Sequence, residues 1–216
     1  MLFVIFSPVM NYRIFIAGAK IIKRNDNKMR MTLKRVKSSL PEYKQIKELY
    51  LNAFPPEERP PFFLLMSRTG REDVDFWGIY ADEKWIGLAY VISKGRLSYL
   101  FYLAVSENER GKGYGSSIIR TLRRMYDGQQ LFLALETLDE AAPNYDERVK
   151  RRNFYLHNGM KPVDCRITEG GVTYDVMGTS EHLEPDDYTR MMNEYSGRLF
   201  SRIYPYSISK TERTSE

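Results

Sequence analysis

The stretch Val105-Ser106-Glu107-Asn108-Glu109-Arg110-Gly111-Lys112-Gly113-Tyr114-Gly115-Ser116 constrains this chain more than any other. Before it, the apolar run 97–105 reads as a strand; after it, residues 117–126 read as a helix. A strand, a glycine-rich turn and a helix in that order make a cradle for an anion. Glycines reach positive φ and let the backbone approach a ligand closely. The first N–H groups of the helix then point at the anion, and the helix dipole favours negative charge there. The plainer alternative is a tight strand-to-helix connection that binds nothing. The spacing Gly111-x-Gly113-x-Gly115 lacks the Ser or Thr after lysine that a nucleoside-triphosphate loop needs. It also departs from the Gly-x-Gly-x-x-Gly of dinucleotide sites.

At 216 residues the chain suits one domain with appendages and can bury a sizeable core. Its net charge of +5 suits an anionic ligand or a solvated face and is too small to argue for nucleic acid. Cys165 stands alone, so no disulfide closes within the chain, as expected in a reducing cytoplasm. Two histidines, His157 and His182, without paired cysteines argue against a zinc site.

Taken in order, residues 1–30 read as an N-terminal extension, either upstream of the native start or poorly ordered. Its apolar runs are broken by Pro8 and by Asn11-Tyr12-Arg13, so it is no membrane span. Ala17-Gly18-Ala19 has the look of a signal-peptidase site, but no basic residue precedes the first apolar run. Met29 and Met31 are expected starts. Residues 31–37 alternate like a first strand, and a helix follows from Pro41, with Ser38 or Ser39 as its cap. Phe54-Pro55-Pro56-Glu57-Glu58-Arg59-Pro60-Pro61 cannot continue that helix. It reads as a stiff connector or as a rigid loop presenting carboxylates. A short helix fits residues 61–68.

Residues 74–80, 84–93 and 97–105 make three strands joined by tight hairpin turns, hence antiparallel. The middle strand is apolar on both faces, so helices should cover the sheet on both sides. The strand at 131–135, reached through the glycine loop and helix, should be parallel to the one before the loop. A helix at 145–158, two strands at 161–167 and 172–177, and an amphipathic helix at 182–203 complete the elements. That last helix could pack on the sheet, cover a site or form a contact in a homodimer. The last dozen residues read as disordered. The fold class is therefore α/β, a mixed and mostly antiparallel sheet with one parallel pair and helices on both faces. The divisions are 1–30 extension, 31–180 main domain, and 181–216 helix and tail.

Arg110-Gly111-Lys112-Gly113-Tyr114-Gly115 resembles the Arg/Gln-x-x-Gly-x-Gly/Ala signature of the GNAT superfamily of N-acetyltransferases. Asn153-Phe154-Tyr155-Leu156-His157-Asn158-Gly159-Met160 is similar to that family's Tyr-x-x-x-Gly-Phe segment, with Met160 in place of Phe. The resemblance covers roughly residues 31–177. It implies acetyl-CoA as co-substrate, no metal, and direct transfer to a primary amine of a small molecule or peptide, with no acyl-enzyme. It implies that Arg110, Gly111, Lys112, Gly113, Tyr114, Gly115 and Ser116 hold the pyrophosphate. The backbone of Leu103, Ala104 and Val105 would bind the pantetheine and the thioester carbonyl. Tyr155 would be the general acid, with Asn153 near the cofactor. Many relatives carry Asn seven residues before this tyrosine; here that residue is Arg148.

For the base, Glu136 comes first, with Glu57 and Glu58 as acceptor-side carboxylates and a water chain as the alternative. One of Arg120, Arg123 and Arg124 could reach the 3′-phosphate. Cys165, without an assignable histidine partner, is no nucleophile. Two other classes stay open. One is an acyl-CoA-binding module without turnover. The other is a nucleic-acid binder using Arg148, Lys150, Arg151 and Arg152, set against the acidic neighbours Asp146 and Glu147. The expectation is a cytoplasmic enzyme with neither nucleic acid nor membrane as partner.

Overall fold

The strands of the chain join in one sheet. In the computed structural model the described residues are 13–16, 19–22, 30–56, 59–203 and 205–211. The strands are β1 (Arg13–Ile16), β2 (Ala19–Ile22), β3 (Met31–Arg35), β4 (Val74–Ala81), β5 (Lys84–Lys94), β6 (Leu97–Val105), β7 (Gln130–Glu136), β8 (Lys161–Glu169), β9 (Val172–Gly178) and β10 (Tyr206–Lys210). Their order in the sheet is β1-β2-β3-β4-β5-β6-β7-β9-β8-β10. Among the described residues, β6 and β7 form the parallel pair and the other neighbours are antiparallel. This is the mixed sheet the sequence predicts.

The helices are α1 (Tyr43–Ala53), α2 (Phe62–Arg68), α3 (Tyr114–Met125), α4 (Tyr145–His157) and α5 (Pro185–Ile203). They divide between the two faces of the sheet. Ile46 and Tyr50 of α1, Leu64 and Leu65 of α2, and Tyr188, Met191, Met192 and Tyr195 of α5 share one core with Phe76, Tyr90, Tyr99, Tyr102 and Phe132. Ile118, Ile119, Leu122 and Met125 of α3 and Phe154 and Tyr155 of α4 share the other with Trp77, Leu100, Leu103 and Leu133. Helix α5 thus packs on the sheet. Among the described residues no helix is long and apolar enough to cross a membrane.

Three local expectations change. Helix α1 begins at Tyr43, with Glu42 as N-cap and no side-chain cap bond, because a turn through Lys37 and Leu40 takes up Ser38 and Ser39. Helix α3 begins at Tyr114, because Gly113 itself is the N-cap. The tail is not without structure: Tyr206–Lys210 pair along β8 from Glu169 to Cys165, supplying the ladder that β8 would otherwise lack on that edge.

One irregularity shapes the middle of the sheet. Tyr90 pairs with Tyr102 but the next residue, Val91, pairs with Leu100, so Phe101 is an extra residue in β6. Such a bulge bends its strand and interrupts the ladder. Accordingly β7 pairs with β6 only at Leu97–Gln130, Ser98–Leu131 and Tyr99–Phe132. The rings of Tyr99 and Phe132 stack at 4.6 Å at the last paired position. Beyond them residues 100–105 and 133–136 diverge.

Candidate active site

The divergence of β6 and β7 opens a cleft of about 160 Å³ through the sheet. Its lining includes Leu100, Leu103, Leu135 and Tyr155 from the α3–α4 side, and Tyr99, Tyr102 and Glu169 from the α1–α2–α5 side. The end of α1 closes one wall with Phe54 and Pro55. Arg59 Nε donates to Phe54 O at 2.8 Å and Tyr50 Oη donates to Pro60 O at 2.7 Å, pinning the connector there. Glu57 and Glu58, which follow Pro55 and Pro56, lie outside the described residues.

Main-chain groups of β6 face this cleft. Ser106 N–H bonds Ile86 O on β5 at 2.8 Å, so alternation turns the main-chain groups of Leu103 and Val105 the other way, toward the missing ladder. Strand β5 approaches unusually closely here. A Cβ on Gly87 would lie 2.3 Å from Ala104 O, so a larger residue would displace β6.

After β6, a single turn at Glu107–Glu109 leads into the glycine loop. Gly111 and Gly113 both have φ of +76°, which side chains disfavour. The first helical bond of α3 runs from Ser117 N–H to Gly113 O, and no side chain caps the helix. The N–H groups of Tyr114, Gly115 and Ser116 therefore have no helical partner. In the same turn the buried Ser116 hydroxyl lacks a hydrogen-bond partner among the described residues. These unsatisfied donors fit an anion such as a pyrophosphate. The two cations of the loop bond within it: Arg110 Nε donates to Val105 O at 3.3 Å, and the half-exposed Lys112 donates from Nζ to Asn108 O at 2.8 Å and Glu109 Oε2 at 3.1 Å. Glu109, 4% exposed, also bonds Lys84, and these cations hold its carboxyl below the usual range against the opposing effect of burial.

Tyr155 lines the cleft from α4 and is buried. Burial pushes its hydroxyl up to about 12, with Arg151 opposing, so it is a protonated donor at neutral pH. Asn153, two residues earlier on the helix, is exposed and is not among the residues lining the cleft. Arg123 donates to Asn158 O at 2.7 Å, capping α4 rather than reaching outward.

Glu136 reaches the cleft as expected, but its carboxylate is engaged. Arg151 Nη1 lies 2.5 Å from Oε2, Arg148 Nη2 lies 3.2 Å from Oε1, and Asn144 Nδ2 donates to Oε1 at 3.1 Å. Desolvation works to raise this carboxyl, yet the two arginines and Asn144 hold it below its ordinary value. Both oxygens being occupied, Glu136 is a poor proton acceptor as it stands. Arg152 likewise pairs with Asp175 at 3.0 Å, so three cations of the basic cluster on α4 are committed to carboxylates rather than to a nucleic-acid surface. Cys165 is buried and its thiol is pushed up to about 12, which keeps it protonated and unreactive.

Sequence reasoning missed Glu169, because the strand expected at 161–167 stops two residues short of it. The residue lines the cleft and is 3% exposed. Tyr188 Oη donates to Oε1 at 2.8 Å and Tyr99 Oη to Oε2 at 3.1 Å. Burial pushes its carboxyl up to about 7, and the two hydroxyls pull it partly back. Glycines following it in a turn-like stretch hid it. Its only local signal was an acid closing a strand whose alternate residues Val163, Cys165 and Ile167 face the core.

The sequence profile of the acetyltransferase (GNAT) family matches residues 43–158, more than half of the chain. The chain belongs to the acetyltransferase (GNAT) family. The glycine loop and Tyr155 lie inside the matched region, which ends one residue before Gly159. Solved GNAT structures share the fold. A GNAT-family protein from Bacteroides thetaiotaomicron is 21% identical, with a TM-score of 0.62 over 78% of this chain and 97% of its own. The ribosomal-protein-S18-alanine N-acetyltransferase of Escherichia coli is 16% identical, TM-score 0.51, over 71% and 96%. An aminoglycoside 6′-N-acetyltransferase complexed with coenzyme A is 16% identical, TM-score 0.52, over 71% and 99%. No curated protein matches the chain by sequence. This GNAT chain is accordingly an acyltransferase.

Proposed function

We propose that the chain transfers the acetyl group of acetyl-CoA directly to a primary amine of a small molecule or protein. The observation that carries this reading is that β6, beyond its last pairing with β7 at Tyr99, runs unpaired on that edge into the turn and the uncapped N-terminus of α3. One element offers main-chain donors to an anion, the other offers main-chain groups to an extended chain. In this reading the N–H groups of Tyr114, Gly115 and Ser116, with Gly111 and Gly113 giving them access, hold the pyrophosphate. Arg110 and Lys112 shape the loop by their bonds to Val105 and Asn108. The main-chain groups of Leu103 and Val105 bind the pantetheine and polarise the thioester carbonyl, an effect worth about 3 kcal/mol when such a donor is preorganised, whereas Ala104 between them, also expected to bind the cofactor, turns its carbonyl toward Gly87 of β5. Tyr155 protonates the departing sulfur. Glu136 acts as a positioning residue that keeps Arg148 and Arg151 in place. Glu57 and Glu58 remain acceptor-side carboxylates. The buried, lone Cys165 fits a cytoplasmic setting.

The test is calorimetric titration with acetyl-CoA, beside a folded Gly113→Asp, Gly115→Asp double variant. Binding in the micromolar range is expected for the natural chain and loss of binding for the variant. A folded natural chain that takes up no acetyl-CoA would remove the reading.

A further inference from the structure

We propose that Glu169, held by Tyr99 and Tyr188, binds the ammonium group of the acceptor and takes its proton, and that the acceptor is a small primary amine with an apolar body. This rests on the acetyl-transfer reading above. Among the described residues the nearest donors to Glu169 are two neutral hydroxyls, and no cation pairs with it. A buried carboxylate without a counter-charge is unfavourable, and an arriving cation relieves it. Each oxygen accepts one tyrosine hydroxyl, which leaves capacity on both for further N–H donors.

Shape narrows the ligand. Phe54, Phe101, Tyr102 and Tyr174 line the same cleft as Glu169, and their rings suit a cation and an apolar body alike. The cleft of about 160 Å³ is close to the roughly 150 Å³ of a cavity that takes up benzene, the scale of a small amine with an apolar body. Glu169 and Tyr155 approach this space from opposite faces of the sheet. The proton accounting is then complete. The amine enters as R–NH3+ and Glu169 takes one proton, freeing the nitrogen lone pair. Nitrogen bonds to the acetyl carbon as the carbon–sulfur bond breaks. Tyr155 gives its proton to sulfur and is reprotonated, through water, by the second proton of the nitrogen. Glu169 releases its proton to solvent.

The experiment compares the natural chain, Glu169→Gln and Tyr188→Phe, with benzylamine as probe and benzyl alcohol and an alanine-initiated peptide as controls. Calorimetry measures benzylamine and acetyl-CoA binding separately; steady-state rates are followed from pH 5.5 to 9. Glu169→Gln should keep its acetyl-CoA affinity within about twofold. It should weaken benzylamine binding and raise its KM at least tenfold, and abolish a rate limb near pH 7. Tyr188→Phe should move that limb to higher pH, since the lost hydroxyl had favoured the carboxylate; this readout stands even if Glu169→Gln fails to fold. Unchanged amine KM and an unchanged limb in variants that bind acetyl-CoA would overturn the proposal. So would acetylation of the peptide and of no small amine. A natural chain that binds no acetyl-CoA would remove the acetyl-transfer reading as well, a result distinct from either.

Discussion

Two glutamates line one cleft and have opposite surroundings. Glu136, on the last position of β7, is clamped by Arg148, Arg151 and Asn144 and lies below its ordinary pKa. Glu169, on the last position of β8, meets two tyrosine hydroxyls and lies near 7. Residue type is the same, strand position is the same and both are largely buried. What differs is whether the neighbouring elements supply cations. Helix α4 brings arginines to one side of the cleft, whereas α5 and β6 bring tyrosines to the other. The difference teaches that a carboxylate already neutralised by its own protein organises a site, and that one left without a counter-charge is available to a ligand.

The largest expected effect lies on the donor side of the comparison. Tyr155→Phe should lower kcat about a hundredfold, the lower end for loss of a positioned acid, with acetyl-CoA affinity retained by calorimetry. An unchanged kcat would mean that water protonates the sulfur. The next effect sets the two glutamates against each other by the same isosteric change. Glu136→Gln should destabilise the fold by about 2 kcal/mol in urea unfolding at pH 7. It leaves two arginines short of a counter-charge, and the usual loss for a buried pair is discounted here because their side chains are about a fifth exposed.

Glu169→Gln should act in the opposite direction, and in a pH-dependent way. Its folded pKa is raised, so the folded state keeps a proton that the unfolded chain gives up above about 4.3. The stability this brings is full below that value and is lost as pH rises through 7. Urea midpoints of the natural chain should therefore fall between pH 5 and pH 8, and the Gln variant should lack that part of the slope. At pH 8 it should be the more stable protein, by a margin on the order of 1–2 kcal/mol. Equal signs for the two substitutions would break the contrast on which the site is read.

Much of this architecture was legible in the sequence. Alternation and hairpin turns located the central strands, and Gly111 and Gly113 marked the loop because few other residues tolerate their positive φ. Tyr155 was legible only through its distance from Gly159 in a family-like segment. What escaped was set by partners far away in the chain. Tyr99 is seventy residues from Glu169, and nothing near either one announces their bond. Arg148 and Arg151, which occupy Glu136, read in the sequence as part of a basic cluster open to nucleic acid. Tyr206–Lys210 alternates aromatic, aliphatic and serine residues too weakly to read as a strand until β8 stands beside it. The extra residue in β6 was invisible because the run 97–105 is apolar throughout and carries no turn signal.

That extra residue has a wider consequence. Side chains along a strand keep time with a period of two, and one added beat changes the phase of everything after it. Tyr99, Phe101 and Tyr102 consequently serve the same face, while Leu100, Leu103 and Val105 serve the other. The opening in the sheet is thus written in the length of a segment rather than in its chemistry. The number of residues between the hairpin at Gly95 and the turn at Ser106 is held fixed by the gap itself.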